Sequence, residues 1–154
     1  MSTQDAVSRV TGQFLFFRLG GQDFGAQLGS VQEILLVPHI TTVPRTPGWM
    51  KGVISLRGEV LGVIDARGAL RAAEAPLSPD SRLLVVQEAE FRVALLVDSV
   101  SEAAQVAAGE LIPLTNWSSE GQVGLGFACD RGGSIHSLID LKKLITLPQF
   151  LPFQ

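Results

Sequence analysis

Gly52-Val53-Ile54-Ser55-Leu56-Arg57-Gly58-Glu59-Val60-Leu61-Gly62-Val63-Ile64-Asp65-Ala66-Arg67 is the stretch that decides how the chain reads. Val53 to Leu56 and Val60 to Ile64 are apolar and rich in β-branched residues, which favours strands. Arg57-Gly58 stands between them, and a two-residue loop with glycine second supplies the positive φ that a hairpin turn needs. Neither strand alternates cleanly, so the ribbon is expected to be covered on both faces. The turn carries charge: Arg57 and Glu59 are expected either to meet as a weak solvated pair or to offer a charged tip to a partner.

Upstream, Pro38, Pro44 and Pro47 define a loop that cannot be helical. Before it, Val31 to Val37 reads as a strand with Val31, Glu33 and Leu35 on one face and Gln32, Ile34 and Leu36 on the other. Glu33 is thus a carboxylate in an apolar row, at a rim or with a partner. Gln13–Leu19 and Asp23–Gln27 form a hairpin about Gly20-Gly21-Gln22. Downstream, Asp65 is expected to cap a short helix over Ala66–Leu70. Arg71–Ser81, with two prolines, is the best internal boundary. Arg82–Gln87 and Phe91–Val97 are strands about Glu88-Ala89-Glu90. Ala103–Ala108 is strand or short helix, and Gly109–Gln122 is a loop around Pro113 and Trp117. Val123–Cys129 and Ile135–Ile139 are the last strands, and Asp140 caps a helix over Leu141–Ile145.

Val63-Ile64-Asp65-Ala66-Arg67 through Leu70 is echoed by Leu138-Ile139-Asp140-Leu141-Lys142 through Leu144: a strand end, an Asp, a basic residue two positions on, then a Leu. Short strands with Gly/Pro turns point to an all-β fold of small barrels. The echo implies two similar halves, roughly residues 13–70 and 82–147, sharing a core, with a linker at 71–81 and strands exchanged between them where pairing demands. Residues 1–12 are expected to be a loosely ordered N-terminus and 148–154 an apolar tail.

Of 154 residues, 46% are hydrophobic and 18% charged, a globular balance. A net charge of −3 leaves no basic footprint for nucleic acid. No apolar run reaches the roughly 18–20 residues of a membrane span, and the start carries no export signal. Cys129 is the single cysteine, so a cytoplasmic protein without a disulfide framework is expected.

Catalytic chemistry finds little footing. His39 lies in a Pro-flanked loop, and His136 reads as a satisfied strand residue. Neither His-x-x-x-His nor Cys-x-x-Cys occurs, so no metal site is expected. Cys129 reads as a buried thiol. Gly124-Leu125-Gly126 is only a fragment of a dinucleotide fingerprint, and no cofactor is expected. Asp65 and Asp140 are better explained as caps than as an acid–base pair. What remains is surface for partners: Trp117 in its loop, and the row Val31, Glu33, Leu35 if it adjoins Arg57, which suits an incoming amphipathic helix. A small-molecule-binding β-barrel is the rival reading; it requires a deep pocket around His136 or Cys129.

The ordered series Phe14-Leu15, Phe24-Gly25, Val31-Gln32-Glu33-Ile34, Lys51-Gly52-Val53, Leu56-Arg57-Gly58, Val63-Ile64-Asp65-Ala66-Arg67, Val97-Asp98-Ser99-Val100, Gly124-Leu125-Gly126 and Ile139-Asp140-Leu141 resembles the CheW family of chemotaxis coupling proteins. The resemblance runs from about Gln13 to Ile145. It implies two small five-stranded β-barrels around a shared core, and a non-catalytic adaptor. Such an adaptor joins the cytoplasmic tip of a chemoreceptor to the regulatory domain of the histidine kinase CheA, in arrays at the membrane that it enters only through its partners. Carried over residue by residue, Val31, Glu33, Gly52, Arg57 and Val100 form the receptor-facing set, and Trp117, Leu28 and Ile34 the kinase-facing set. Ser55, Gly62 and Ala66 stand where the family usually has Asn, Pro and Leu. These departures bear on the pathway: a type IV pilus motility or phototaxis array would use the same adaptor.

Overall fold

The computed structural model describes residues 11–114 and 123–153. In chain order the strands are β1 (Gly12–Leu19), β2 (Gln22–Gln27), β3 (Glu33–Leu36), β4 (Met50–Leu56), β5 (Glu59–Ile64), β6 (Arg82–Glu88), β7 (Phe91–Val97), β8 (Ser99–Val106), β9 (Leu111–Pro113), β10 (Gly124–Arg131) and β11 (Ser134–Ile139). One α-helix, α1 (Leu141–Ile145), comes after β11, and Pro148–Phe153 forms a 3₁₀ turn. The fold is all-β with two curled sheets. One is ordered β8-β1-β2-β11-β10-β9, the other β3-β6-β7-β5-β4. The first therefore has one strand more than the five expected.

The two sheets repeat one topology. Strand for strand, β3-β6-β7-β5-β4 corresponds to β8-β1-β2-β11-β10. In each sheet the parallel pair, β5 with β7 or β11 with β2, sits between antiparallel ones. Superposing the pairs Ile64↔Leu95 and Ile139↔Ala26 makes Asp65 the counterpart of Asp140. Counting along the same ladders makes Glu33, which faces Val85, the counterpart of Glu102, which faces Phe16. Val31 and Val100 each lie two residues earlier. The extra strand β9 answers to a single bridge, Thr41↔Val53, beside β4. The repeat is not sequential, however. β3, β4 and β5 lie before segment 71–81, and β6 and β7 after it, yet all five share one sheet; the other sheet joins the two ends of the chain. Residues 13–70 and 82–147 are thus not the two sheets, because parallel pairing needs a strand from beyond a crossover.

Burial explains why β1 is apolar throughout. Phe14 and Phe16 fill the curl of their own sheet with Val106, Cys129 and Leu138. Leu15, Phe17 and Leu19 point the other way, into a central core built from both sheets and α1. Ile54, Leu61, Val63, Leu83, Val85, Ala94 and Leu96 fill the curl of the five-stranded sheet. Each large side chain so buried contributes about 1.5–3 kcal/mol.

Arg57 (φ 50°) and Gly58 (φ 80°) form the β4–β5 turn in the left-handed conformation that such hairpins require. The ribbon is not covered on both faces, since Val60 is 68% exposed: near its tip the ribbon outruns the body of the sheet. Ala103–Val106 belongs to β8, and the chain then makes a 3₁₀ turn over Ala108–Glu110 before β9. The strand expected over Val31–Val37 is the shorter β3, because Leu28–Ser30 is 3₁₀ and Pro38 ends it. The apolar tail docks on its own body: Phe150 is fully buried and meets Trp49 edge to face at 4.7 Å.

The helix expected over Ala66–Leu70 does not form; the segment is a series of turns. Gly68 disfavours a helix by about 1 kcal/mol, and Arg67 has a better use. Its backbone N–H donates to Asp65 Oδ1 at 3.0 Å, its guanidinium donates to both Asp65 oxygens at 2.9 and 2.8 Å, and Nη1 donates to the Ala75 carbonyl at 2.8 Å. The pair is nearly fully buried, and it ties the Arg71–Ser81 segment to the sheet. Asp140, by contrast, does cap its helix, accepting from the Lys143 N–H at 3.1 Å.

Candidate functional site

Glu33 begins β3, one edge of the five-stranded sheet, and Arg57 sits at the tip of β4–β5, the opposite edge. Because the sheet curls, the two edges meet. Arg57 Nη1 donates to Glu33 Oε2 at 2.8 Å and Nη2 to Oε1 at 2.5 Å, a two-pronged guanidinium–carboxylate bond. The weak Arg57–Glu59 pair considered from sequence is therefore not made. Glu59 turns instead to Arg92, at 2.5 Å. Arg92 Nε also donates to Gln32 Oε1 at 2.8 Å, and Gln32 Nε2 to Gln87 Oε1 at 2.9 Å. The hydrogen bond from Arg57 holds the Glu33 carboxyl below its ordinary range, against a smaller desolvation effect; the charges of Arg57 and Arg92 act in the same direction. The exposed partner is the cation, with Arg57 69% and Glu33 26% exposed.

Val31 and Val100, on the counterpart positions, are half-buried and both pack against the central core. Gly52 is placed differently. It is buried at φ 144°, and a Cβ there would lie 2.3 Å from the Thr41 carbonyl oxygen. It admits the proline-rich loop against β4 and exposes no side chain of its own. The structure thus joins Glu33 to Arg57 directly, sets Val31 two residues from Glu33, and leaves Gly52 beneath. Leu28 is half-buried on the central core, while Ile34 points outward with Leu36 from the opposite face of β3. Trp117 lies outside the described residues.

Arg92 and Gln32 were missed by sequence reasoning, although one signal was there: Arg92 is the lone charge in the apolar run Phe91–Val97. His136 faces the interior of the six-stranded sheet, edge-on to Phe16 at 5.0 Å, with Nδ1 3.3 Å from the Ser134 carbonyl oxygen. Cys129 is fully buried opposite it, and burial, then the Glu110 charge, push its thiol up. A cavity of about 270 Å³ beside Trp49, Val60 and Phe91 contains neither His136 nor Cys129, and the same holds for one of about 290 Å³ beside Ile40, Lys51 and Leu77. Among the described residues no three His, Cys, Asp or Glu side chains are grouped to hold a metal. No helix among them is long and apolar enough to cross a membrane.

Residues 13–149 match the CheW-like domain. The chain belongs to the CheW-like domain family. Among its curated relatives, the chemotaxis protein CheW of Klebsiella aerogenes is 28% identical over 91% of this chain and 88% of its own length. A probable chemotaxis protein CheW of Rhizobium etli is 37% identical over 70% of each chain. Protein PilI of Pseudomonas aeruginosa is 38% identical over 63% of this CheW-like chain, a match that spans 53% of PilI. In three dimensions, the crystal structure of the scaffolding protein TtCheW from Thermoanaerobacter tengcongensis matches with a TM-score of 0.77, covering 90% of this chain and 95% of that one at 23% identity. That likeness is one of fold.

Proposed function

We propose that this CheW-like protein is a non-catalytic adaptor that couples the cytoplasmic helical tip of a chemoreceptor to the regulatory domain of the histidine kinase CheA. The observation that carries the reading is the Glu33–Arg57 pair. It closes one end of a curled sheet, shows a guanidinium to solvent, and stands two residues from half-buried Val31. An apolar strip with one oriented cation suits an amphipathic helix bearing an acidic side chain. Val31, Glu33, Arg57 and Val100 make the receptor contacts, and Gly52 shapes the surface by letting the 38–47 loop close. Trp117, with Leu28 and Ile34, contacts the kinase. The adaptor reaches the membrane only through these partners.

Titration calorimetry with a receptor tip fragment and with the kinase regulatory domain tests this. Arg57→Glu is expected to lower receptor affinity about tenfold while the protein stays folded. Trp117→Ala is expected to lower kinase affinity by about 2 kcal/mol. A folded Arg57→Glu variant with unchanged receptor affinity defeats the assignment of Arg57, and a wild-type protein that binds neither partner defeats the adaptor reading. The similarity to PilI supports a second pathway for the same role, type IV pilus motility. Which receptors and kinases co-purify from the source cell decides between the two.

A further inference from the structure

We propose that Glu102 and Arg131 form a second partner-contacting corner, of opposite polarity to Glu33 and Arg57, that takes a basic side chain of the same helical partner. This rests on the receptor-binding reading above and extends it to the other sheet. Glu102 is the register counterpart of Glu33, and each faces a residue that fills the curl of its own sheet, Phe16 or Val85. Arg131 ends β10 at the tip of the β10–β11 hairpin, one position before the counterpart of Arg57. As in the first corner, the arginine reaches across the curl: Nη2 is 3.1 Å from Glu102 Oε1 and Nη1 3.2 Å from Glu110 Oε2.

The exposures are reversed. In the first corner the cation is outermost. Here Arg131 is only 22% exposed, held 4.6 Å over the Phe16 ring, while Glu102 is 58% exposed. Two carboxylates against one guanidinium leave this corner net negative, and Glu102 Oε2 has no hydrogen-bond partner among the described residues. Val31 and Val100 are counterparts packed on one shared core, so the receptor-facing set already draws on both sheets. An acidic end at Glu102 and a basic end at Arg57 complement a partner that carries a cation at one end of its contact strip and an anion at the other. Opposed charges of this kind fix the orientation and register of docking.

The test uses the full chain and, as probe, the cytoplasmic helical-hairpin fragment of a chemoreceptor from the same genome, titrated at low and moderate salt. Glu102→Gln keeps the shape of the side chain and Glu102→Lys reverses its charge; circular dichroism melts confirm that both fold. Expected are a loss of about threefold for Glu102→Gln and about tenfold for Glu102→Lys at low salt, shrinking as salt rises, with partial rescue of Glu102→Lys by a Lys→Glu or Arg→Glu change in the fragment. If Arg57→Glu weakens binding while both Glu102 variants bind like wild type, this inference fails and the adaptor reading stands. If Glu102→Lys weakens only kinase binding, the corner belongs to that partner and the inference fails. If the wild-type protein does not bind the fragment, both fail together.

Discussion

Asp65 and Asp140 occupy equivalent places in the two sheets, and their backbones behave alike. Each N–H donates to the carbonyl of the residue just before its sheet's outer hairpin: Asp65 to Trp49 at 2.8 Å, Asp140 to Val123 at 2.7 Å. Their side chains then diverge. Asp140 caps a helix whose next basic residue, Lys142, is exposed. Asp65 is sealed in an ion pair with Arg67, two residues on, with the Lys51 ammonium 3.7 Å away. Equal sequence signals thus give a capped helix where the chain runs on to its tail. They give a buried salt bridge where a crossover segment, Arg71–Ser81, has to be held against the sheet. The use of each aspartate is decided by the chain that runs on from it.

The largest expected effect breaks that contrast. Arg67→Ala strands a buried carboxylate and is expected to cost about 3 kcal/mol in urea unfolding, while Lys142→Ala at the equivalent position stays within about 0.5 kcal/mol. A smaller gap would mean that Lys51 moves in to neutralise Asp65. Next comes a pair of glycines at the irregular points of β4 and β10. Gly52→Ala is expected to cost about 2 kcal/mol or more, since it meets the Thr41 backbone at a φ of 144°. Gly126→Ala, at φ 84° with open space around its Cβ, is expected to cost about 1 kcal/mol. Asp140→Ala loses a cap and is expected to cost about 1 kcal/mol, read as a lower unfolding midpoint.

The pH dependence sharpens the comparison most finely. Burial pushes the Asp65 carboxyl up, but the Arg67 hydrogen bonds and the Arg67 and Lys51 charges together outweigh it and hold it below its ordinary 3.8. A carboxyl depressed in the folded state stabilises above its unfolded value, and that contribution is lost as pH falls through the folded value. The stability difference between wild type and Arg67→Ala is therefore expected to be full at neutral pH, to begin narrowing as acid protonates the stranded carboxyl of the variant, and to go on narrowing below about pH 4. A difference that stays constant down to pH 2 would contradict the ion pair as its source.

Much of the fold was legible because strand and turn signals are local. The β1–β2, β4–β5 and β10–β11 hairpins lie where glycine turns and apolar runs place them, and β6–β7 where apolar runs flank the polar turn Glu88-Ala89-Glu90, with ends shifted by a residue or two. The Asp65/Asp140 echo was legible too, and it marks a true repeat of topology. The candidate site was legible only in part. Alternation along Val31–Leu36 put Glu33 in one row with Val31 and Leu35, which left it either at a rim or with a partner. That the partner is Arg57 rather than a rim of water depends on how far the sheet curls, which no run of residues states. Arg92 and Gln32, and Glu102 with Arg131, were missed for the same reason: each contact joins strands far apart in sequence.

By itself, the chain of amino acids determined the hairpins, the all-β class, the family and the cap at Asp140. Each of these depends on neighbours within a few residues or on a series of short motifs in fixed order. Only the tertiary structure decided that Asp65 would be an ion-pair partner instead of a cap, that each sheet would draw strands from both sides of the 71–81 crossover, and that Arg57 would reach Glu33 across the curl of its sheet. Those outcomes turn on burial around Asp65 and on the closure of a curved sheet, which brings charges tens of residues apart in sequence within hydrogen-bonding reach.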